Sequence, residues 1–283
     1  MTDKATEARR WFAEDIGFKA RVSSRALVDA FAKVSREQFV GPGPWQICGM
    51  DGIWTTADDN PANVYHDVLI VLDEEHHINN GEPILYAFLF DQLRISPGES
   101  VIHLGCGMGY YTAILAEIVG SGGRIEAFEI RSNLADRPRT ALAPWSWVTV
   151  RHEHGAGISL DEADIIIVSA GATHPLNSWL DALTPGGRLL FPMTSTDGTG
   201  KMLLITRWRE DGFAARFLCW AGFMELSGAR DGRISERLTN IFREAKDEAA
   251  VKSLRRDMHE ECESCWLHEN DWCLSRCDPA AVS

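Results

Sequence analysis

The segment Val101-Ile102-His103-Leu104-Gly105-Cys106-Gly107-Met108-Gly109-Tyr110-Tyr111 constrains the fold more than any other part of the chain. A short apolar run breaks into three glycines at alternate positions, and an apolar helical pattern over 112–119 follows at once. That order predicts strand, tight turn and helix, the arrangement by which doubly wound α/β proteins bring backbone amides close to a nucleotide. About twenty residues past Gly109, a second apolar segment carries Glu129 near its end, where a carboxylate can accept hydrogen bonds from both hydroxyls of a ribose.

The rest of the chain continues the alternation. Strands are predicted at 100–104, 124–129, 147–151, 164–169 and 187–191, with helices at 110–119, 133–141 and 175–182 between them. Thr184-Pro185-Gly186-Gly187 reads as a sharp turn into the fifth of these strands. Runs 201–208 and 213–220, joined by Arg209-Glu210-Asp211-Gly212, predict an antiparallel hairpin at the sheet edge. Ahead of this core, helical periodicity covers 5–17 and 24–34, the latter preceded by Ser23-Ser24 as caps. Residues 45–80 are loop-rich, with turn signals at Asp51-Gly52 and Asn60-Pro61 and a short strand over 68–72. Asn80-Gly81-Glu82-Pro83 then opens a helix over 84–93, with Asn80 a candidate cap. Residues 234–260 predict a polar helical extension. The expected organisation is a helical and loop region over 1–93, an α/β core over 94–228, and a helical, cysteine-rich extension over 229–283.

Composition narrows the functional classes. No apolar run approaches the ~20 residues that span a bilayer, and residues 1–10 are polar and charged, unlike a secretory signal. A net charge of −13, from 28 basic and 41 acidic residues, repels phosphate backbones and argues against nucleic acid as partner. Without an export signal, the expected compartment is the cytoplasm, with reduced thiols. Cys48, Cys106 and Cys219 are scattered, whereas Cys262, Cys265, Cys273 and Cys277 crowd the C-terminal end. The last four are the candidate zinc set, with His259 and His268 beside them. The competing reading packs them with Trp266 and Trp272 against the core, and no resident metal is assigned. Glu74-Glu75-His76-His77 is a weaker metal signal, because consecutive side chains diverge.

The spacing of the glycines bears on the cofactor. Dinucleotide folds prefer G-x-G-x-x-G, whose third glycine lets helix and strand pack closely under a pyrophosphate. Here the pattern is G-x-G-x-G followed by two tyrosines, which favours S-adenosylmethionine over a nicotinamide dinucleotide. Four segments then resemble the protein-L-isoaspartate O-methyltransferase family, across roughly residues 22 to 228. Val34-Ser35-Arg36-Glu37-Gln38-Phe39-Val40 is similar to its Pro-Arg-Glu-x-Phe-Val segment. Residues 101–115 follow its glycine-rich turn and the helix behind it. Asp164-Ile165-Ile166-Ile167-Val168-Ser169-Ala170-Gly171-Ala172 resembles its fourth strand and loop. Gly222-Phe223-Met224-Glu225-Leu226-Ser227-Gly228, with the strand before it, resembles its Arg-Phe-Val-Pro-Leu-x-Gly segment.

The resemblance implies a Rossmann-like class I methyltransferase with a mainly parallel seven-stranded sheet. It implies that Gly105, Gly107 and Gly109 line the methionine part of the donor and that Glu129 holds the ribose. His77-Ile78-Asn79-Asn80 stands where the family has Thr-Ile-Ser, a loop that meets both donor and substrate, so Asn79 and Asn80 take the place of the serine hydroxyl. Glu153-His154-Gly155 replaces a Gly-Asp-Gly whose acid contacts the adenine amino group, leaving His154 or Glu153 for that contact. His103 replaces an acid near the donor's amino group, and is otherwise a satisfied core histidine. A carboxylate acceptor is ionised at neutral pH and needs no base, whereas an amine or hydroxyl would need one, with His66, His76, His77 or Asp67 as candidates. The expected function is methyl transfer from S-adenosylmethionine to a carboxylate of a peptide or small molecule. The alternatives are isoaspartyl-protein repair, a non-catalytic peptide-binding relative and a nicotinamide oxidoreductase. The sequence assigns no oligomeric state.

Overall fold

The computed structural model describes residues 4–49, 51–73, 78–153, 155–208, 212–244 and 247–279. Helices α1 (Lys4–Lys19) and α2 (Arg25–Lys33) lead into strands β1 (Gln46–Gly49), β2 (Gly52–Thr55), β3 (Leu69–Asp73) and β4 (Ile78–Asn79). Helix α3 (Pro83–Leu93) precedes the alternating core: β5 (Ser100–Leu104), α4 (Tyr110–Val119), β6 (Arg124–Phe128), α5 (Ser132–Leu142), β7 (Val148–Arg151), β8 (Ala163–Val168) and α6 (Asn177–Asp181). The long strands β9 (Leu183–Thr194), β10 (Thr199–Arg207) and β11 (Phe213–Gly222) follow. Helix α7 (Gly232–Arg243) and the short strands β12 (Ser253–Arg255), β13 (Cys265–His268) and β14 (Cys273–Ser275) complete the chain. The chain divides into two units, residues 1–99 with 106–153, and residues 100–105 with 154–283.

In the first unit, Ser24 caps α2 through its hydroxyl, which accepts the Leu27 N–H, as the Ser23-Ser24 pair predicts. The loop-rich region folds into a small antiparallel sheet ordered β2-β1-β3-β4. Helix α4 is apolar apart from Thr112 and Glu117 and is buried at every position but Glu117. Its Tyr110 packs against Phe31 of α2 and against Phe39. Strands β6 and β7 pair in parallel.

In the second unit the strand order is β13-β14-β12-β11-β10-β9-β8-β5. β5, β8 and β9 run parallel, and β10 and β11 form the predicted antiparallel hairpin. Ile165, Ile166, Ile167 and Val168 are all essentially inaccessible, the pattern of a parallel strand covered on both faces. Two features differ from the sequence expectation. β9 begins at Leu183 rather than after the Pro185-Gly186-Gly187 turn, because Gly186, at φ 82°, bends the strand at a register shift without ending it. Among the described residues the C-terminal extension is α-helical only over α7, which Asp231 caps by accepting the Ile234 N–H, with one further 3-10 turn at Glu248–Ala250. Beyond it, runs too short for a helix become β12, β14 and β13, added in that order to the free edge of β11. Among the described residues no helix is long and apolar enough to cross a membrane.

Candidate active site

Within the first unit, the glycine turn and the end of β6 are bound together by the backbone. The Cys106 N–H donates to the Phe128 carbonyl (3.0 Å) and the Gly109 N–H to the Cys106 carbonyl (2.9 Å). Gly109 sits at φ 90°, and a Cβ there would lie 2.9 Å from Leu142 Cδ1 and 3.2 Å from Pro138 Cβ. The third glycine therefore serves the close approach of α5. A Cβ at Gly107, φ 54°, would meet no atom within 4 Å, so the turn leaves its backbone approachable on that side.

Glu129 lies against this turn and is 6% exposed. One carboxylate oxygen accepts the Gly107 N–H (2.9 Å) and the other the Arg131 N–H (3.0 Å). These bonds fix the carboxylate plane yet use only about half of its roughly four lone-pair positions. A ligand offering paired hydroxyls fits the remaining capacity, so the residues present suit the ribose of a nucleoside cofactor. Burial, and after it the neighbouring Glu129, pushes the Cys106 thiol up out of the reactive range.

The loop after β4 is held by bonds that the sequence did not disclose. The Asn80 side-chain oxygen accepts the Ile70 N–H (2.8 Å) while its backbone N–H donates to the Ile70 carbonyl (3.0 Å). Asn80 thus prolongs the β3–β4 pairing with its own side chain and does not cap α3. That work is done by Asp67, whose carboxylate accepts the Ile84 N–H (2.9 Å). The Asn80 Nδ2 is buried without a hydrogen-bond partner among the described residues. Asn79 is exposed, and its side-chain oxygen accepts the Gly81 N–H (2.9 Å). Gly81 has φ 76° and sits so close to Tyr86 that a Cβ would approach its ring to 2.6 Å. Tyr86 stacks on Tyr111 at 3.6 Å, and the Tyr111 hydroxyl donates to the Gly81 carbonyl (3.0 Å). The second tyrosine of the glycine motif is therefore the anchor of the 79–81 loop.

In the second unit, His103 is buried in β5, and its Nε2 shares a hydrogen bond with Ser169 Oγ (2.9 Å). Burial lowers its pKa from an ordinary 6.5 to about 4, so the ring is neutral at physiological pH. Because the folded value lies below the unfolded one, the unfolded chain takes up the extra proton first as pH falls. His103 accordingly costs stability between pH 6.5 and about 4, by about 3 kcal/mol once both transitions are passed. The difference between wild-type and His103→Asn unfolding free energies, measured by urea titration across that range, is expected to carry this slope. Parallel pH profiles would remove it. The loop after β8 pairs with the 222–228 segment through Gly171 N–H to Met224 O (2.6 Å) and Leu226 N–H to Gly171 O (2.8 Å). Gly155 packs on Leu104 and accepts the Trp179 indole N–H (3.3 Å).

His76, His77 and His154, and the Glu74-Glu75 pair, lie outside the described residues. Ile78 is half-buried in β4, and Glu153 is exposed. His66 contributes its carbonyl to Arg36 (2.8 Å). Of the C-terminal cysteines, Cys265 and Cys273 form a group of four with His259 and His268; exposed Cys262, although 3.7 Å from Cys265, stands outside it, as does Cys277. Register across a hairpin, not spacing along the chain, selects that group.

The sequence model of the family described as protein-L-isoaspartate(D-aspartate) O-methyltransferase matches residues 53–228. A protein-L-isoaspartate O-methyltransferase of Methanothermobacter thermautotrophicus is 28% identical over 78% of this chain and 96% of its own. Protein-L-isoaspartate O-methyltransferase 2 of Rhodopseudomonas palustris is 32% identical over 68% of this chain and 80% of its own. A solved Plasmodium falciparum protein, described as a protein-L-isoaspartate O-methyltransferase in complex with S-adenosyl-L-homocysteine, shares the fold. Its TM-score is 0.62, at 17% identity, over 78% of this chain and 98% of that one.

Proposed function

This chain belongs to the protein-L-isoaspartate O-methyltransferase family, and from that premise we propose that it methylates the carboxylate of isoaspartyl residues in peptides or proteins, using S-adenosylmethionine. The observation that carries the reading is the doubly anchored Glu129 carboxylate beside the glycine turn, inside the segment that matches the family. An isoaspartyl acceptor has more support than the unspecified peptide or small-molecule carboxylate expected from the changed 77–80 loop, since the relatives described above carry that activity in their names.

In the first unit, Gly107 and Gly109 would hold the methionine part of the donor and Glu129 its ribose, and Ile78 is assigned to the donor by resemblance. Gly105, His103 and Gly155, in the second unit, are assigned to the donor by resemblance, as are His77 and His154. When bound, S-adenosylmethionine supplies a methyl carbon activated by a sulfonium. The protein's part is to hold an already ionised carboxylate in line and to exclude water. Asn79 keeps its amide NH2 for the acceptor carboxylate, and Asn80 positions that loop through Ile70. No general base is required, and His103, with its pKa near 4, would be a poor one.

Transfer of a labelled methyl group to an isoaspartyl peptide and to its ordinary aspartyl isomer tests the proposal. Base-labile labelling of the isoaspartyl form alone is expected. Binding of S-adenosylmethionine without labelling of that peptide would overturn the assignment of the acceptor while sparing that of the donor.

A further inference from the structure

The C-terminal extension gathers a second set of chemically capable side chains that methyl transfer does not use. In the β13–β14 hairpin His268 stands opposite Cys273, and on the other flank of β14 Cys273 stands opposite Arg255. Cys265 begins β13, and His259 lies in the segment leading to it. One ligand atom from each of His259, Cys265, His268 and Cys273 lies within 4.8 Å of all the others. Cys265 Sγ is 3.5 Å from His259 Nε2 and 3.9 Å from His268 Nδ1. Both sulfurs belong to buried residues.

Two thiols and two imidazoles make weak hydrogen bonds with one another, so their convergence in a buried place calls for a better partner. Zinc bonds of about 2.3 Å to sulfur and about 2.0–2.1 Å to nitrogen give a tetrahedron with nitrogen–sulfur edges of about 3.5 Å. The two Cys265–histidine separations sit at that edge and slightly beyond it. An outer contact supports the same geometry. His259 Nδ1 donates to the Asp257 carbonyl (3.0 Å), with the Asp257 carboxylate 3.4 Å away. A carbonyl only accepts, so Nδ1 carries a proton, and in the neutral ring this leaves the Nε2 lone pair facing the cysteine, as in histidines that ligate metals. Cys262 Sγ is 3.7 Å from Cys265 Sγ, but Cys262 is exposed and stands outside the group of four.

The geometry points to a structural zinc site in the C-terminal extension, with His259, Cys265, His268 and Cys273 as its four ligands. Two thiolates balance the charge of the ion, which suits a buried site. Thiolate with imidazole in a tetrahedron selects zinc over harder cations, and four protein ligands leave no position open for substrate. The ion would tie the hairpin to the segment before it. That hairpin is docked on α7 through Glu269, which pairs with Arg233 and Arg237. Through Trp272 it also stacks on His174, in the loop after β8, at 6.4 Å.

Elemental analysis of the full chain, purified without chelator, tests the site. One zinc per chain is expected, together with visible absorption of a tetrahedral thiolate complex when cobalt replaces it. Zinc content is expected to fall at least about tenfold in Cys265→Ser and Cys273→Ser, and to be unchanged in Cys262→Ser. The cobalt spectrum is read on the wild-type chain, so it stands even if the ligand variants fail to fold. Wild-type protein that takes up neither metal, with or without a Cys262–Cys265 disulfide, would overturn the site. Loss of zinc in Cys262→Ser as complete as in Cys273→Ser would overturn this ligand set.

Discussion

Glu129→Gln is expected to weaken S-adenosylmethionine binding by about 100-fold or more, with little change in the fold. Hydrogen bonds to a charged acceptor contribute about 1.5–3 kcal/mol each, and the ribose offers two. A glutamine keeps one acceptor oxygen and turns its NH2 toward donors. Whichever way the amide lies, either the Gly107 N–H or the Arg131 N–H, both now bonded to Glu129, faces another donor. The loss of one charge-assisted bond and the misfit of another come to about 3 kcal/mol, or about 100-fold in Kd. Calorimetric titration of the variant measures this directly. An unchanged Kd would remove Glu129 from the donor site and with it the main support for the proposed function.

The parts of this site that were legible in the sequence are those whose cause is local. The apolar run into Gly105, the alternate glycines and the helix behind them lie within one short segment, and Glu129 follows directly on the next apolar strand. Pattern alone locates them, because strand, turn and helix each leave their period in consecutive residues. What the sequence concealed depends on partners far along the chain. The local pattern offers Asn80 as a cap for the helix after it as well as a residue of the substrate loop, but its oxygen is taken by Ile70 on the neighbouring strand. The cap comes instead from Asp67, which nothing in the local pattern marks. Strands β12, β13 and β14 are each three or four residues long. A segment that short has no period of its own and becomes a strand only because the edge of β11 offers unpaired backbone groups. The same holds for the cysteines. Cys262 and Cys265 attract notice by their spacing, whereas His268 reaches Cys273 through hairpin register.

Arg36→Ala is expected to lower the unfolding free energy of the first unit by about 4 kcal/mol, the cost typical of breaking a buried charged network. Arg36 has no exposed surface, and its guanidinium donates to the carbonyls of Val64 (2.8 Å), His66 (2.8 Å) and Val68 (2.7 Å). Its carbon also lies over the rings of Phe12 and Tyr110, at 5.7 and 5.8 Å. Truncation would leave those carbonyls without their donor in a buried place, each costing about 1–3 kcal/mol unless water enters, and would open a cavity between the two rings. Arg36→Lys should recover only part of the loss, because an ammonium on a flexible stem cannot span three carbonyls as a planar fork does. The damage should also reach function. Residues 64–68 lead directly into β3, which holds Asn80 through Ile70, and they include the Asp67 that caps α3. Arg36→Lys is therefore expected to raise KM for the methyl acceptor, through the 79–81 loop, more than it raises Kd for the donor, whose Glu129 anchor is bound to Gly107 and Arg131. Urea unfolding of both variants, with steady-state kinetics on Arg36→Lys, separates the two effects. A midpoint unchanged in Arg36→Ala would mean that water, rather than the guanidinium, can satisfy the 64–68 carbonyls. Equal losses in KM and Kd for Arg36→Lys would mean that Arg36 supports the unit as a whole and not the acceptor loop in particular.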